Sequence, residues 1–322
     1  MYEEFMGTKP VSEGQRFDVA ALAAYLRRHV EGDPADPQAV LQVEQFKGGQ
    51  SNPTFTLTVA GPAASGQPHG QQHGKHDVLR TKPGPAAKLL PSAHAIEREF
   101  RAMDALQRAG FPAARQYALC VDESVIGRAF YIIKFIEGRV LWDQSLPGMT
   151  PAERAAIYDE LNRVIALLHG IDFAALGLAD FGKPGNYFGR QIERWSMQYQ
   201  ALATETIASM DQLMAWLPRH IPAGDDTSIV HGDFRLDNII FHPAEPRILA
   251  VLDWELSTLG HPFADFSYPL HELAYRAGPF SRHCRARLAS AGHSVAARLH
   301  SPLRRTDRQD HRPGRLQLLP GF

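Results

Sequence analysis

The sequence predicts an α+β protein with two lobes, a small one built on an antiparallel sheet and a larger one that is mostly helical. Between residues 38 and 82, apolar and polar residues alternate on either side of a glycine-rich turn, as in hairpin strands. After residue 150, apolar residues recur with the spacing of helices. We therefore expect a first lobe over residues 1–138 and a second lobe over residues 139–322, divided at Gly138.

The first lobe is expected to combine a sheet with two helices. Phenylalanine, leucine and valine alternate with threonine after a glycine-rich turn, which predicts a hairpin over 38–60 with a half-buried second strand. Ser92 is a suitable cap for a helix that Gly110 ends. The other predicted elements are helices over 17–30 and 93–109 and strands over 77–82 and 129–137.

The second lobe begins with a clear helix signal. Thr150, Pro151 and Glu153 form a capping box with proline at the first helical position, and Gly170 ends the helix. The side chains that this helix should bury are Ile157, Leu161, Ile165 and Leu168. The remaining predicted elements are one continuous helix over 187–217 and short strands over 229–230, 239–241 and 248–252.

The composition favours a soluble protein that binds neither a membrane nor nucleic acid. Hydrophobic residues make up 44% of the 322 residues, and the formal net charge is -1. No apolar run is long enough to cross a bilayer, and the first ten residues lack the apolar segment of a secretory signal. With only two cysteines, Cys120 and Cys284, we expect a reduced, cytoplasmic protein.

The segment from His231 to Asn238, together with Asp253, carries the strongest chemical signal. Asp233 is followed by Asn238 five residues later and by Asp253 fifteen residues further on, each beside an apolar run. One carboxylate that meets an acceptor hydroxyl, followed by an amide and a second carboxylate that hold Mg²⁺, is the spacing of a phosphoryl-transfer site. We therefore predict that Asp233 is the catalytic base and that Asn238 and Asp253 bind magnesium.

These residues also allow simpler interpretations. Asp233 and Asn238 suit a turn and a cap, although their spacing to Asp253 disfavours that reading. A dinuclear metallohydrolase centre lacks the expected H-x-H-x-D-H pattern. Its residues would be His231, Asp233, Asp253 and His261. Three histidines within 69–76 fit a solvated Gly/Gln-rich loop better than a metal site.

Three longer segments carry a family resemblance. They are VLRTKPGPAAKLLPSAHAIEREFRAMDAL, HGDFRLDNIIF and VLDWELSTLGHPFADFSY. Together they resemble the aminoglycoside phosphotransferase (APH)-like family of the protein-kinase-like superfamily, and most of all the branch that accompanies acyl-CoA dehydrogenases, over about residues 35 to 280. The resemblance implies a protein-kinase-like two-lobe fold, ATP and Mg²⁺ as cofactors, and a functional link to an acyl-CoA dehydrogenase.

The same resemblance implies phosphorylation of a small-molecule hydroxyl, with a hydroxyacyl-CoA as the acceptor. The alternatives are an aminoglycoside or amino-alcohol kinase and a nucleotide-binding pseudokinase. Trp195 and Tyr199, on one face of a predicted helix, are candidates for the wall of an acceptor pocket. A polycationic antibiotic would need an acidic pocket, and residues 180–225 contain no dense acidic cluster.

The resemblance also implies a cation for the α- and β-phosphates on the strand that precedes the glutamate-containing helix. Arg80 stands where most relatives have lysine, and Lys82 lies two residues further on as the reserve candidate. Glu99 resembles the helix carboxylate that pairs with this cation, while Glu97 fits the register less well.

Further nucleotide contacts are expected from two short segments. A glycine-rich loop can offer backbone N–H groups to phosphate oxygens, and its candidates are Gly48, Gly49, Ser51 and Asn52. A hinge segment would pair with adenine through its backbone, and its residues are Phe135, Ile136 and Glu137.

Three more residues surround the predicted base. Arg235 lies two residues after Asp233, where similar kinases place a basic residue that faces the γ-phosphate. His231 is expected to hold the loop by hydrogen bonds rather than act as a base. Asp265 matches a family aspartate that braces the catalytic loop.

The last 42 residues differ from the rest of the chain. Residues 281–322 contain nine arginines, two aspartates and no lysine or glutamate. A basic nucleic-acid-binding arm is one explanation. A frameshift is favoured, because codons for Phe280–Leu288 can be read one nucleotide later as F-R-G-I-A-G-L-D, which resembles the family's continuation. That reading predicts a second lobe without its last helices.

Overall fold

A computed structural model describes residues 6–30, 40–48, 52–60, 76–83 and 96–267. Within these ranges the α-helices are α1 (Val19–His29), α2 (Ile96–Arg108), α3 (Pro151–His169), α4 (Tyr187–Leu202) and α5 (Ala208–Trp216). The strands are β1 (Thr8–Lys9), β2 (Val40–Phe46), β3 (Thr54–Ala60), β4 (His76–Thr81), β5 (Gln116–Cys120), β6 (Phe130–Lys134), β7 (Arg139–Val140), β8 (Ser228–Val230), β9 (Ile239–Phe241), β10 (Ile248–Val251) and β11 (Thr258–Gly260).

The chain divides into two compact units, each with two segments. Unit 1 contains Met1–Trp142 and Ile239–Glu255, and unit 2 contains Asp143–Asn238 and Leu256–Phe322. The lobe boundary at Gly138 stays a prediction. Several sequence-based expectations lie outside the described residues, namely those for Gly49, Ser51, the Ser92 cap, the histidines at 69 and 73, Cys284 and the tail 281–322.

Unit 1 contains a six-stranded antiparallel sheet in the order β1-β2-β3-β4-β6-β5. The predicted hairpin is confirmed, since β2 pairs with β3 from Val40 opposite Ala60 to Gln45 opposite Phe55. Strand β6 is shorter than predicted and ends at Lys134, because its neighbour β4 supplies paired residues only as far as Asp77, opposite Lys134. Strands β1 and β5 were not predicted.

The two helices of unit 1 each bury one set of mostly apolar side chains. Asp18 caps α1 by accepting a hydrogen bond from the Ala21 N–H at 2.9 Å, and Leu22 and Leu26 of α1 join the buried cluster that contains Phe55 of β3. In α2 the buried side chains include a carboxylate among apolar residues, and they are Ile96, Glu99, Ala102, Met103, Ala105 and Leu106. That buried carboxylate must have polar partners.

A second, three-stranded sheet completes unit 1, in the order β10-β9-β7. The predicted strands over 239–241 and 248–252 are confirmed as β9 and β10. Gly138 precedes β7, and a Cβ there would clash with Ile240 and the Phe241 carbonyl. A residue without a side chain is therefore required where the chain leaves the first sheet.

In unit 2 the helix α3 begins as predicted. The Thr150 Oγ1 accepts a hydrogen bond from the Glu153 N–H at 3.3 Å, and Glu153 Oε2 accepts one from the Thr150 N–H at 2.7 Å. The helix ends at Gly170, and the four side chains that it was predicted to bury are buried. Strand β8 pairs with β11, with Val230 opposite Thr258.

The single helix predicted over 187–217 is wrong. Helix α4 ends at Leu202 and α5 begins at Ala208. Ala203 and Ile207 have extended backbone, and two threonines lie between them. Threonine is stiff at χ1 and hydrogen-bonds to nearby backbone, which favours an interruption. None of the described helices has the length and apolar character of a transmembrane span.

Candidate functional site

In unit 1, the side chain of Arg80 lies among three carboxylates. Its Nε is 3.1 Å from Glu99 Oε2, its Nη2 contacts Asp253 Oδ1, and the same Nη2 is 3.6 Å from Glu255 Oε2. Strand β4 places Arg80 between Thr54 of β3 and Tyr131 of β6. One guanidinium therefore contacts three carboxylates.

The carboxylate of Glu99 is fully hydrogen-bonded although its side chain is only 1% exposed. Asn52 Nδ2 donates to its Oε1 at 2.8 Å, and the Tyr131 hydroxyl donates to its Oε2 at 2.9 Å. Burial raises the pKa of the Glu99 carboxyl, while Arg80 and Tyr131 oppose that shift. The pKa of Arg80 is raised, because Tyr131, Glu99 and Asp253 outweigh the effect of burial on the cation.

Lys82 belongs to a different pair. Its Nζ is 2.5 Å from Glu97 Oε1, and the two side chains are 33% and 35% exposed. The structure thus pairs Arg80 with Glu99 and Lys82 with Glu97. The first pair is enclosed and the second is open to solvent, where ion pairs contribute little to stability.

Asp253 follows the β9–β10 hairpin with an unusual backbone conformation. Ile239 pairs with Val251, so the start of β9 and the end of β10 lie at the same end of the hairpin. Asn238 directly precedes β9, and Asp253 lies two residues after β10. The φ angle of Asp253 is 63°, and its side chain is 32% exposed. Trp254 anchors this exit, because its indole N–H donates to the Val251 carbonyl at 3.0 Å.

In unit 2, the residues predicted from the sequence motif to form a catalytic loop lie directly after β8. Asn238 Nδ2 donates to the Asp233 backbone carbonyl at 3.0 Å and to Asp233 Oδ2 at 2.8 Å. Arg235 Nε lies 3.2 Å from Asp233 Oδ1. The loop therefore brings Asp233, Arg235 and Asn238 together, and both carboxylate oxygens of Asp233 face nitrogen atoms.

Asp265 holds this loop by accepting hydrogen bonds from its backbone. Its Oδ2 accepts a hydrogen bond from the His231 N–H at 2.7 Å, and its Oδ1 accepts one from the Gly232 N–H at 2.8 Å. Nε2 of His169 lies 3.3 Å from the same Oδ2. Burial alone would raise the pKa of Asp265, but the contacts with His169 and His231 lower it.

His231 serves the loop in the way that the sequence suggested. Its ring is fully buried, and its Nδ1 accepts a hydrogen bond from the Asp233 N–H at 3.2 Å. That bond assigns the ring proton to Nε2. A fully buried imidazole with this partner orients the backbone at Asp233.

The structure describes the predicted hinge residues and part of the predicted glycine-rich loop. Phe135, Ile136 and Glu137 follow β6 outside any strand, and the Phe135 ring lies 5.8 Å from the His76 ring. Gly48 ends its described range, and Asn52 begins the next with its side chain 1% exposed. Trp195 of α4 is 59% exposed.

Several contacts of these residues were not predicted from the sequence. Asn52 was expected to act through its backbone, yet its amide bridges Glu99 and Glu255, the latter at 3.5 Å. Tyr131 and Glu255 were not proposed, although Glu255 lies only two residues after Asp253. The contact of Gln144 with Asp237 was not predicted either. Among the described residues, no group of three or more His, Cys, Asp or Glu is arranged to hold a metal by itself.

Known proteins resemble this chain in sequence and in fold. The model of a family described as the phosphotransferase enzyme family matches residues 42–305. The rat protein named acyl-CoA dehydrogenase family member 11 is 45% identical over 262 residues, which is 81% of this chain and 32% of that protein. The chain therefore spans about a third of the length of the curated relatives it matches.

Solved structures give the same fold. A Ralstonia eutropha protein with the provisional description of an aminoglycoside phosphotransferase is 54% identical, with a TM-score of 0.73 over 90% of this chain and 80% of that chain. The structure described as a streptomycin-ATP-APH(2")-IIa ternary complex is 16% identical, with a TM-score of 0.52 over 90% and 86% of the two chains. At that identity the likeness shows the protein-kinase-like α+β fold alone.

Proposed function

Because this chain belongs to the phosphotransferase enzyme family, we propose that it transfers the terminal phosphoryl group of ATP to the hydroxyl of a small molecule. The observation that carries the proposal is the loop geometry around Asp233. Its carboxylate lies within hydrogen-bonding distance of Asn238 and beside the Arg235 guanidinium, on a backbone that Asp265 fixes. A positioned carboxylate beside a cation is the arrangement that phosphoryl transfer requires.

Arg80 is the proposed ligand of the α- and β-phosphates. Its pairing with the buried Glu99 and its contact with Asp253 fix the direction of the guanidinium. The similarly folded protein whose structure is a ternary complex with streptomycin and ATP supports ATP as the donor. Gly48, Gly49, Ser51 and Asn52 would approach the phosphates, and Phe135, Ile136 and Glu137 would pair with adenine.

Asn238 and Asp253 fit Mg²⁺ by their chemistry. Magnesium takes hard oxygen ligands and is held by one or two carboxylates together with substrate phosphates rather than by an all-protein cage. When bound, the ion would neutralise charge on the phosphates.

The protein's own contribution is proton transfer and positioning. Asp233 would accept the proton of the acceptor hydroxyl while the acceptor oxygen bonds to the γ-phosphorus. The bond from that phosphorus to the oxygen of ADP then breaks, and ADP leaves with its electron pair. Arg235 would stabilise the negative charge on the transferring group.

A hydroxyacyl-CoA is the acceptor that we favour. The resemblance to the branch that accompanies acyl-CoA dehydrogenases supports it, as do the names of relatives that this chain matches over about a third of their length. Phosphorylation would convert the acyl-chain hydroxyl into a leaving group. A functional link to an acyl-CoA dehydrogenase follows from the same proposal.

An aminoglycoside or amino alcohol is the second candidate acceptor. The provisional description of the Ralstonia protein, at 54% identity, is the observation that favours it. The two candidates differ in charge, because acyl-CoA compounds are anionic and aminoglycosides are polycationic. A pseudokinase would bind ATP and transfer nothing.

The proposal is tested by measuring ADP release with hydroxyacyl-CoAs of several chain lengths, with aminoglycosides and with choline. We expect acceptor-dependent release that falls by about 10³-fold in Asp233→Asn. Glu160→Gln is the matched control, because it also removes a carboxylate of unit 2 that pairs with an arginine, namely Arg163 on α3 at 2.6 Å. ATP binding without release for any acceptor would favour the pseudokinase instead.

A further inference from the structure

Arg235 divides its guanidinium between two carboxylates of the catalytic loop. Its Nη2 lies 2.6 Å from Asp237 Oδ2, whereas its Nε lies 3.2 Å from Asp233 Oδ1. The side chains are partly shielded, with 29% of Arg235, 23% of Asp233 and 16% of Asp237 exposed. The closer contact is therefore to Asp237, which is the more enclosed carboxylate.

Asp237 is itself held in place by a buried amide. Gln144 Nε2 donates to Asp237 Oδ1 at 3.1 Å, and Gln144 Oε1 accepts from the Leu236 N–H at 3.5 Å. Gln144 is 2% exposed, and its backbone carbonyl accepts a hydrogen bond of 2.5 Å from the Tyr158 hydroxyl on α3. A chain of contacts thus runs from helix α3 through Gln144 to Asp237, which gives the carboxylate a fixed direction.

The fixed direction matters because arginine and carboxylate groups prefer a two-pronged pairing. If Arg235 turned both prongs to Asp233, the carboxylate of the base would be held in a two-pronged ion pair, and the cation would lose its reach to a phosphate. Asp237 takes one prong and leaves Asp233 with a single, longer contact. Asn238 holds the other oxygen of Asp233 at 2.8 Å.

We propose that Asp237, held by Gln144, is a positioning residue that keeps Arg235 from closing onto the base Asp233. This inference rests on the proposed phosphotransferase function. It assigns Asp237 an effect on the rate of transfer and no contact with the acceptor. Substitution of Asp237 should therefore lower kcat and leave the acceptor KM unchanged.

A double-mutant cycle tests whether Asp237 acts through Arg235. We expect Asp237→Asn to lower kcat by roughly 10- to 100-fold with an acceptor KM within about twofold of the wild type. Asp237→Asn should have no further effect when added to Arg235→Ala. Glu160→Gln, which also removes an arginine-paired carboxylate in unit 2, should leave kcat unchanged. An additive loss in the double variant, a change confined to KM, or an unchanged kcat would overturn the proposal.

A measurement without turnover separates this inference from the proposed function. The Nε–H signal of Arg235 in a ¹⁵N NMR spectrum is assigned by its loss in Arg235→Lys. In Asp237→Asn we expect this signal to shift and to exchange faster with water, while in Glu160→Gln it stays in place. A wild type without turnover but with this response would reject the phosphotransferase proposal and retain the positioning. An unchanged signal in Asp237→Asn would overturn the positioning whether or not the protein turns over.

Discussion

The carboxylate of Asp265 holds the backbone of His231, accepting its N–H at 2.7 Å while its second oxygen accepts the Gly232 N–H at 2.8 Å. Two consecutive amides are thereby directed to one buried anion. The peptide that follows them carries Asp233, so the position of the proposed base depends on a residue 32 positions further along the chain. Charge-assisted hydrogen bonds to backbone N–H groups are among the stronger ones in proteins.

Removing the Asp265 carboxylate should destabilise the protein. In Asp265→Ala, one buried and one partly buried backbone N–H group lose their acceptor, and we expect a loss of about 2–4 kcal/mol in the free energy of unfolding. Asp265→Asn keeps an acceptor oxygen for one of them and should lose less. Urea unfolding of both variants measures the difference. Equal losses would contradict the stabilising role of the two hydrogen bonds.

The lowered pKa of Asp265 predicts a dependence of stability on pH. A carboxyl whose folded pKa lies below its ordinary value of 3.8 contributes stability that is fully present above pH 3.8 and is lost as the pH falls through the folded value. The stability difference between wild type and Asp265→Asn should therefore shrink below pH 3.8. Urea unfolding at a series of pH values gives this difference, and a constant gap down to the acid limit would contradict the prediction.

Gly232 should not tolerate a side chain. Its φ is +88°, and a Cβ would lie 2.8 Å from the Leu256 carbonyl oxygen. We expect Gly232→Ala to cost about 1–3 kcal/mol for the backbone conformation, with a further cost for displaced atoms. Gly148→Ala is the matched control, because Gly148 has a φ of +81° and no atom within 4 Å of the added Cβ. Equal losses in the two variants, measured by thermal unfolding, would rule out the contact with Leu256.

Arg80 and Lys82 should differ in their effect on nucleotide binding. Arg80→Lys keeps the charge beside Glu99 but loses the fork that spans Glu99 and Asp253, and we expect ATP affinity to fall by about 10-fold. Lys82→Met opens only the exposed pair with Glu97 and should leave affinity within about twofold of the wild type. Calorimetric titration with ATP compares them, and a larger loss in Lys82→Met would transfer the role to Lys82.

Local signals predicted the elements that depend on neighbouring residues. The capping box at Thr150 begins α3, and the alternation around Phe55 forms β3, because both depend on contacts a few residues away. The predicted α+β fold class is confirmed by the similarity to solved structures. The break between α4 and α5 was missed because Ala203 and Ile207, four residues apart, fit the apolar spacing of a continuous helix although their backbone is extended.

The partners of the candidate site could not be found in the same way. Asn52 and Glu255 are 203 residues apart in sequence, and Gln144 and Asp237 are 93 apart. Such pairs form only when sheets and helices pack, and no local pattern marks them. Motif spacing did locate Asp233, Arg235 and Asn238, which the loop brings together within six residues.

The most direct measurement is transfer of radiolabel from [γ-³²P]ATP to a hydroxyacyl-CoA, with the product identified by mass spectrometry. We expect a phosphorylated acyl chain with the wild-type protein and with Glu160→Gln, and a rate about 10³-fold lower with Asp233→Asn. A labelled acyl-CoA formed equally fast by Asp233→Asn would contradict the assignment of the base. Failure to label any hydroxyl acceptor, despite bound ATP, would contradict the proposed function.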